Sequence, residues 1–342
     1  MSNSSNHHRF AIENFEWLDR FVPNRWWPGG WLQTISIKAI RPTISVDSWD
    51  GAVEFQVAGD QTPPDQLCGY YLPTKCNSKR ATVVIMHGMG GDAKSGYMCS
   101  MAASLLDAGY SVILWNNRGA GDSAGQCSGL HHPGYTDDIR RLVDHLRERH
   151  PQWTQNGLAA IAFSLGANVL LKYLAQSGED SGFAAAVSVS APLDMEITSK
   201  NLRCGFNKLF DRYLLRQQRK EVLRDCADIT DEQRDAIENA GSVWELDDKF
   251  TAPHLGYDGA KDFYQANSAI YVLDQIRTPT LLLHAADDPV VDVDVFTSRD
   301  WLPDGPLFPG LAESGGHTGF LDRDGKRWHE RASVRFLDSM LG

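Results

Sequence analysis

The sequence predicts an α/β protein built on a mostly parallel sheet with helices on both faces. Three observations predict it. Short unbroken apolar runs at 82–86, 111–115, 158–163, 184–190 and 280–284 alternate with segments of helical periodicity, the pattern of strands buried on both sides. His87, Asn116 and Ser164 directly follow three of those runs, at the carboxyl ends of strands, where such sheets bind ligands. Hydrophobic residues make up 42% and charged residues 23% of the 342 positions, which is ample for one large core.

The same composition excludes several classes. A net charge of −11 argues against a general nucleic-acid or anionic-membrane surface. No apolar run approaches the roughly 20 residues of a transmembrane helix. Residues 1–9 lack the basic-then-apolar layout of a secretory signal. The six cysteines (68, 76, 99, 127, 204, 226) show no CxxC spacing, so reduced thiols and a soluble cytoplasmic protein are expected. The histidines, His131 and His132 included, show no HxxxH or HExxH pattern; no metal and no cofactor are expected.

In chain order, residues 1–40 form an aromatic arm, with Phe15, Trp17, Phe21, Trp26, Trp27 and Trp31. It is expected to pack across the core by its tryptophans. Runs at 52–57 and 67–72 flank turn signals such as Asp50-Gly51 and read as an opening antiparallel part of the sheet. The first parallel strand leads into His87-Gly-Met-Gly-Gly91, the next into the glycine-rich loop 116–125 with Arg118 and Asp122, expected to frame a site. Thr136 is placed to cap a helix carrying Ile139, Leu142, Val143 and Leu146 on one face. Asp137 and Asp138 read as first-turn acids favoured by the helix dipole. From about 192 to 270 the alternation breaks. Phe206, Leu209, Phe210, Tyr213 and Leu214 follow helical spacing, and the segment reads as a helical cap insertion over the strand ends. The last strand, 307–313, is interrupted by Pro309. A helix with Trp328, Ala332, Phe336 and Met340 closes the chain, so residues 1–342 are expected to form a single domain.

The chemistry centres on Ala162-Phe-Ser164-Leu-Gly166. A serine on a sharp strand-to-helix turn stands clear of the sheet edge, with helix N-terminal amides behind it. Serine needs an adjacent base, and the base needs a carboxylate to fix its tautomer. His317, in the loop Gly315-Gly-His-x-Gly, is the expected base. Asp288, with Asp287 as the alternative, is the expected acid after the preceding strand. The backbone N–H groups of Met89 and Leu165 are expected to hold an oxyanion. One competing motif is Gly88-Met-Gly-Gly-Asp-Ala-Lys94-Ser95, close to the phosphate-binding G-x-x-x-x-G-K-S. It has Ala93 where that loop needs glycine, and nucleotide hydrolysis leaves Ser164 and His317 without a role.

With these residues in place, the sequence resembles the YheT-like family of α/β-hydrolases along most of the chain. The likeness rests on Trp31-Leu-Gln-Thr-Ile35, His87-Gly-x-Gly-Gly91, Asn117-Arg-Gly119, His132-x-Gly-x-Thr-x-Asp138, Phe163-Ser-Leu-Gly166, Ser190-Ala-Pro192, Arg212-Tyr-Leu-Leu215, Ile276-Arg-x-Pro-Thr280, Asp287-Asp-Pro289 and Gly315-Gly-His-x-Gly-Phe320. Ala162, Ala167 and Pro309 depart from the pattern. The resemblance implies an α/β-hydrolase fold and a serine carboxylesterase or lipase using Ser164, an aspartate of the 287–288 pair and His317. A small-molecule or lipid-like ester is the expected partner. A non-catalytic binding protein of the same fold is the rival reading.

Overall fold

The computed structural model describes residues 18–39, 44–59, 65–76, 80–226, 229–302 and 304–342; Phe15 and Trp17 of the arm lie outside them. Eight strands, β1 (Val53–Ala58), β2 (Gln66–Leu72), β3 (Thr82–Met86), β4 (Ser111–Trp115), β5 (Leu158–Phe163), β6 (Ala185–Val189), β7 (Thr280–Ala285) and β8 (Leu307–Ala312), form one sheet in the order β1-β2-β4-β3-β5-β6-β7-β8. β1 with β2 and β2 with β4 are antiparallel; the other pairings are parallel. The longer helices are α1 (Gly29–Ala39), α2 (Gly96–Asp107), α3 (Asp137–Arg149), α4 (Ser164–Ser177), α5 (Met195–Leu202), α6 (Asn207–Asp225), α7 (Asp231–Asn239), α8 (Ala260–Asn267) and α9 (Trp328–Leu341).

Strand alternation explains how the sheet is covered. Val83, Ile85, Ala159, Ile161 and Phe163 enter one apolar cluster, with residues of α2 and α9. Val84, Met86, Ala160 and Ala162 enter the other, with residues of α3 and α4. Side chains alternate with period two, and because both faces are buried the strands read as unbroken apolar runs. β8 lies at the sheet edge, where a missing N–H breaks no interior ladder; Pro309 is therefore tolerated there.

Two local expectations are corrected. Thr136 precedes α3 but makes no side-chain cap; its hydroxyl instead donates to Gln176 Oε1 at 2.6 Å. Asp138 is more than a dipole acid. It is buried and takes two hydrogen bonds from Arg118, at 3.1 and 2.8 Å, while Arg118 also pairs with Asp65. That buried cluster ties the loop after β4 to α3 and to the start of β2.

Between β6 and β7 the chain forms α5 to α8. This insertion has its own apolar cluster, including Leu202, Leu214, Leu215, Val222, Ile237 and Phe250, which reaches Val290 and Val291 beyond β7. Polar bonds hold its far end to α4: Asn168 Nδ2 donates to Asn267 O at 2.9 Å, and Lys172 Nζ to Ala266 O at 2.6 Å. Burial pulls the Lys172 pKa down to about 8. Among the described residues no helix is long and apolar enough to cross a membrane.

Candidate active site

Ser164 opens α4 with φ of 51°, the left-handed region, which costs a side-chain-bearing residue roughly 1–3 kcal/mol. Its surroundings enforce that conformation. A β-carbon on Gly166 would collide with the His87 carbonyl, and one on Gly88 would stand 2.9 Å from Ser164 Cβ. Ala162 is fully buried, in register with Met86 and Ser188, and its methyl packs into the cluster under α3 and α4. Alanine therefore fits at the position where glycine is commoner.

Three predicted side chains meet. Ser164 Oγ lies 2.8 Å from His317 Nε2, and His317 Nδ1 lies 2.9 Å from Asp288 Oδ2. A proton on Nδ1, donated to Asp288, leaves Nε2 free to accept from the serine hydroxyl. Asp288 is 7% exposed, and its Oδ1 accepts from the amides of Val290 and Val291 at 2.8 and 3.0 Å. Burial alone would raise its pKa. The neighbouring His317, with these hydrogen bonds, outweighs burial and holds it below the ordinary carboxylate value. Asp287 turns the other way: its carboxylate accepts from Ser314 Oγ and from the Gly316 amide, both at 2.8 Å. Of the two aspartates, one touches the histidine ring and the other pins the loop carrying it.

That loop is clamped from an unexpected quarter. The arm was expected to pack through its tryptophans, yet Trp26 is 74% exposed and Trp27 and Trp31 are half-buried. Of the arm's aromatics, Phe21 packs on Phe320 and Trp328, and Gln33 and Thr34 of α1 add the polar hold on the histidine loop. Thr34 Oγ1 accepts from the His317 amide at 2.8 Å. Gln33 Oε1 accepts from the Leu321 amide at 2.7 Å, and its Nε2 donates back to Leu321 O at 3.1 Å. The approach is so close that a β-carbon on Gly316 would strike Gly30 O. Ser190, itself at φ 52°, accepts from the Thr318 amide at 3.1 Å. Sequence reasoning missed Gln33, Thr34 and Ser190 as supports; the Leu-Gln-Thr run within an aromatic arm was the available signal.

The loop after β3 is built in the same manner. Asn117 N–H donates to His87 Nε2 at 3.1 Å, so the other ring nitrogen carries the proton and donates to Gly88 O at 2.8 Å. Burial lowers the His87 pKa and keeps the ring neutral. Gly88 N–H donates to Tyr97 Oη at 3.1 Å. These bonds hold Gly88 against Ser164, with Met89 on the wall of the same cavity, and Leu165 lies in the first turn of α4, whose amides have no acceptor within the helix. Lys94 of the phosphate-loop look-alike is paired with Asp47 at 3.2 Å and Asp122 at 3.3 Å. The described residues contain no group of three or more metal-binding side chains.

Ser164 and His317 open on a cavity of about 580 Å³ whose wall includes Met89, Leu165, Met195, Leu202, Phe210, Leu214 and Val291. Its size and apolar lining suit a small organic ligand. Residues 81–324 match the family model described as the alpha/beta hydrolase fold. The chain belongs to the α/β-hydrolase family. It is 31% identical over 304 residues to "Putative esterase YheT" of Escherichia coli, covering 88% of this chain and 87% of that one. It is 30% identical over 322 residues to a monoacylglycerol lipase of Saccharomyces cerevisiae, covering 84% of this chain and 71% of that protein. Among solved structures, the Pyrococcus furiosus esterase Pf2001 superposes with a TM-score of 0.58 at 16% identity, over 89% of this chain and 98% of that one. The 2,6-dihydroxy-pseudo-oxynicotine hydrolase gives a TM-score of 0.58 at 16% identity, over 91% of this chain and 71% of that one. These two likenesses speak for the fold.

Proposed function

We propose that this protein is a serine hydrolase cleaving aliphatic carboxylic esters through an acyl-enzyme, and that the insertion serves as the cap of a single-domain enzyme. The observation that carries this reading is the unbroken chain Ser164 Oγ–His317 Nε2, 2.8 Å, and His317 Nδ1–Asp288 Oδ2, 2.9 Å, at the floor of an apolar cavity. Ser164 attacks the ester carbonyl as His317 takes its proton, and Asp288 stabilises the imidazolium. The tetrahedral oxyanion is held by the Met89 and Leu165 amides, each worth about 3–4 kcal/mol in comparable sites. His317 then protonates the departing alcohol and activates the water that releases the acid. Relatives named as esterases and a monoacylglycerol lipase support an acyl ester as substrate.

A fluorophosphonate probe tests the reading. Wild type should be labelled at Ser164 and Ser164→Ala should not, with ester turnover falling by at least about 10⁴-fold. Wild-type protein that neither labels nor hydrolyses a short-to-medium acyl ester would leave a binding protein in its place.

A further inference from the structure

Among the residues lining the large cavity, those exposed to solvent are Ile35 and Lys38 of α1 and Gly90 of the loop after β3. Tyr213 of α6 closes the ring around them. Lys38 Nζ lies 3.7 Å from the centre of its ring, and a β-carbon on Gly90 would stand 4.0 Å from its hydroxyl. The mouth of the cavity therefore lies between α1 and α6. Both helices carry apolar side chains outward from it. On α6, the stripe that lines the cavity through Phe210 and Tyr213 continues one turn back as Leu209 and Phe206, 63% and 81% exposed. On α1, Leu32 precedes Ile35 by three residues, and both are exposed. Exposed apolar rows that rim a binding cavity mark an interaction surface. The charges beside these rows have one sign. Lys38, Lys208, Arg212 and Arg216 are exposed. No acid occurs in α1, and the one acid in the first half of α6, Asp211, is buried and accepts from the Val243 amide at 3.2 Å. Four exposed cations without an exposed acid thus stand on these two stretches of a chain whose net charge is −11.

We propose that the face formed by α1 and the first half of α6 docks on an anionic lipid surface, with the mouth of the cavity turned to the lipid. Phe206, Leu209, Leu32 and Ile35 enter the boundary between head groups and acyl chains, and the four cations stay at head-group level. Apolar side chains flanked by basic ones bind such an interface, by buried apolar area together with attraction to anionic lipid. The overall acidity excludes a general affinity for anionic membranes, but it also orients the molecule: the same lipid repels the remaining surface and attracts this face. The mouth favours lipid over an acidic protein as the occupant. A protein seated on this face would seal the way to Ser164, whereas a lipid surface leaves it open to an acyl chain. The docking stands apart from the ester-hydrolase reading. Where both hold, a lipid-borne ester passes into the cavity without crossing water.

Vesicle flotation tests it. Wild type should partition onto phosphatidylcholine vesicles containing about 30% phosphatidylglycerol at least about tenfold more strongly than onto phosphatidylcholine alone, and about 0.5 M salt should erase that preference. Phe206→Ser combined with Leu209→Ser should cut partition onto the anionic vesicles at least about tenfold. Lys208→Gln, Arg212→Gln and Arg216→Gln together should abolish the preference for anionic lipid. Leu302→Ser, at an exposed leucine ahead of β8, should leave partition unchanged. All these positions are exposed, and unchanged circular dichroism and urea midpoints identify the folded variants. No flotation of wild type, equal flotation on the two lipids, or mouth variants that each lose no more than about twofold overturns the proposal. So does a wild-type dimer, seen by light scattering without vesicle binding, that Phe206→Ser with Leu209→Ser splits, since the face would then join two copies of the chain. Turnover of a short water-soluble ester is measured separately, so the docking surface and the ester reading fail independently.

Discussion

The two walls of the cavity are built on opposite principles. On the sheet side the polar groups around the reacting atoms are paired: the His317 amide with Thr34, its two ring nitrogens with Asp288 and Ser164, and the Asp288 carboxylate with two further amides. On the insertion side, Gln218 Oε1 and His131 Nε2 are buried without partners among the described residues. Saturation fixes geometry, which the bond-making groups need to within a fraction of an ångström. The contrast lies in how completely the groups nearest Ser164 and His317 are held.

The largest expected effect breaks the sheet side directly. Asp288→Asn should lower kcat by about 10⁴-fold, whereas Asp287→Asn, which keeps an acceptor for the Gly316 amide, should stay within about tenfold of wild type. Steady-state kinetics on one ester measure both; the reverse ranking would exchange their roles. Next comes the clamp. Thr34→Val removes the acceptor of the His317 amide and should lower kcat about tenfold with KM held, because the base is displaced while the apolar wall is untouched. Gln33→Leu strips both bonds to Leu321 and should cost about 2–4 kcal/mol in urea unfolding.

The smallest effect is acid sensitivity. Burial lowers the pKa of His131 to about 3 and of His132 to about 4, and that of His284 and His329 in the same direction. Unfolded chains bind these protons first, so stability is full above the ordinary histidine pKa of about 6.5 and is lost as pH falls through it, by at most about 1.4 kcal/mol per pH unit for each group. Asp247, raised by burial to about 6, and Glu330, also raised by burial, work the other way, since the folded chain holds their protons more tightly. With His87, His145 and His150, also lowered by burial, and Asp211, also raised by it, seven histidines stand against three carboxyls and predict a net fall in the urea midpoint from pH 7 to pH 5. A rising midpoint would show that the carboxyls dominate.

The sheet was legible because β3 to β7 are buried on both faces and announce themselves as apolar runs. β8 was blurred because an edge strand can admit Pro309. The meeting of Ser164 and His317 was legible because a serine on a strand-to-helix turn and a glycine-flanked histidine follow strand ends in order. Sequence spacing favoured Asp288 over Asp287 without deciding between them: both follow β7, and the turn of the backbone between them sets which carboxylate meets the ring. The arm misled for a physical reason. Tryptophan advertises burial, but the arm is attached by an amide and a hydroxyl bonding to backbone 283 to 288 residues away, and sequence spacing carries no trace of such pairings. Thr136 was misread, its hydroxyl going to Gln176 rather than capping α3; Asp138 does sit in the first turn of α3, but its carboxylate is also committed to the distant Arg118.

The clamp between α1 and the histidine loop also sets an order of events during synthesis. A chain made only as far as Val291 holds Ser164 and Asp288 but lacks His317, which lies between them in the folded protein. The last strand must join the sheet edge, and residues 315 to 321 must then close against α1, which precedes every strand of the sheet. On the function proposed above, hydrolytic competence would be delayed until α1 and the histidine loop have met.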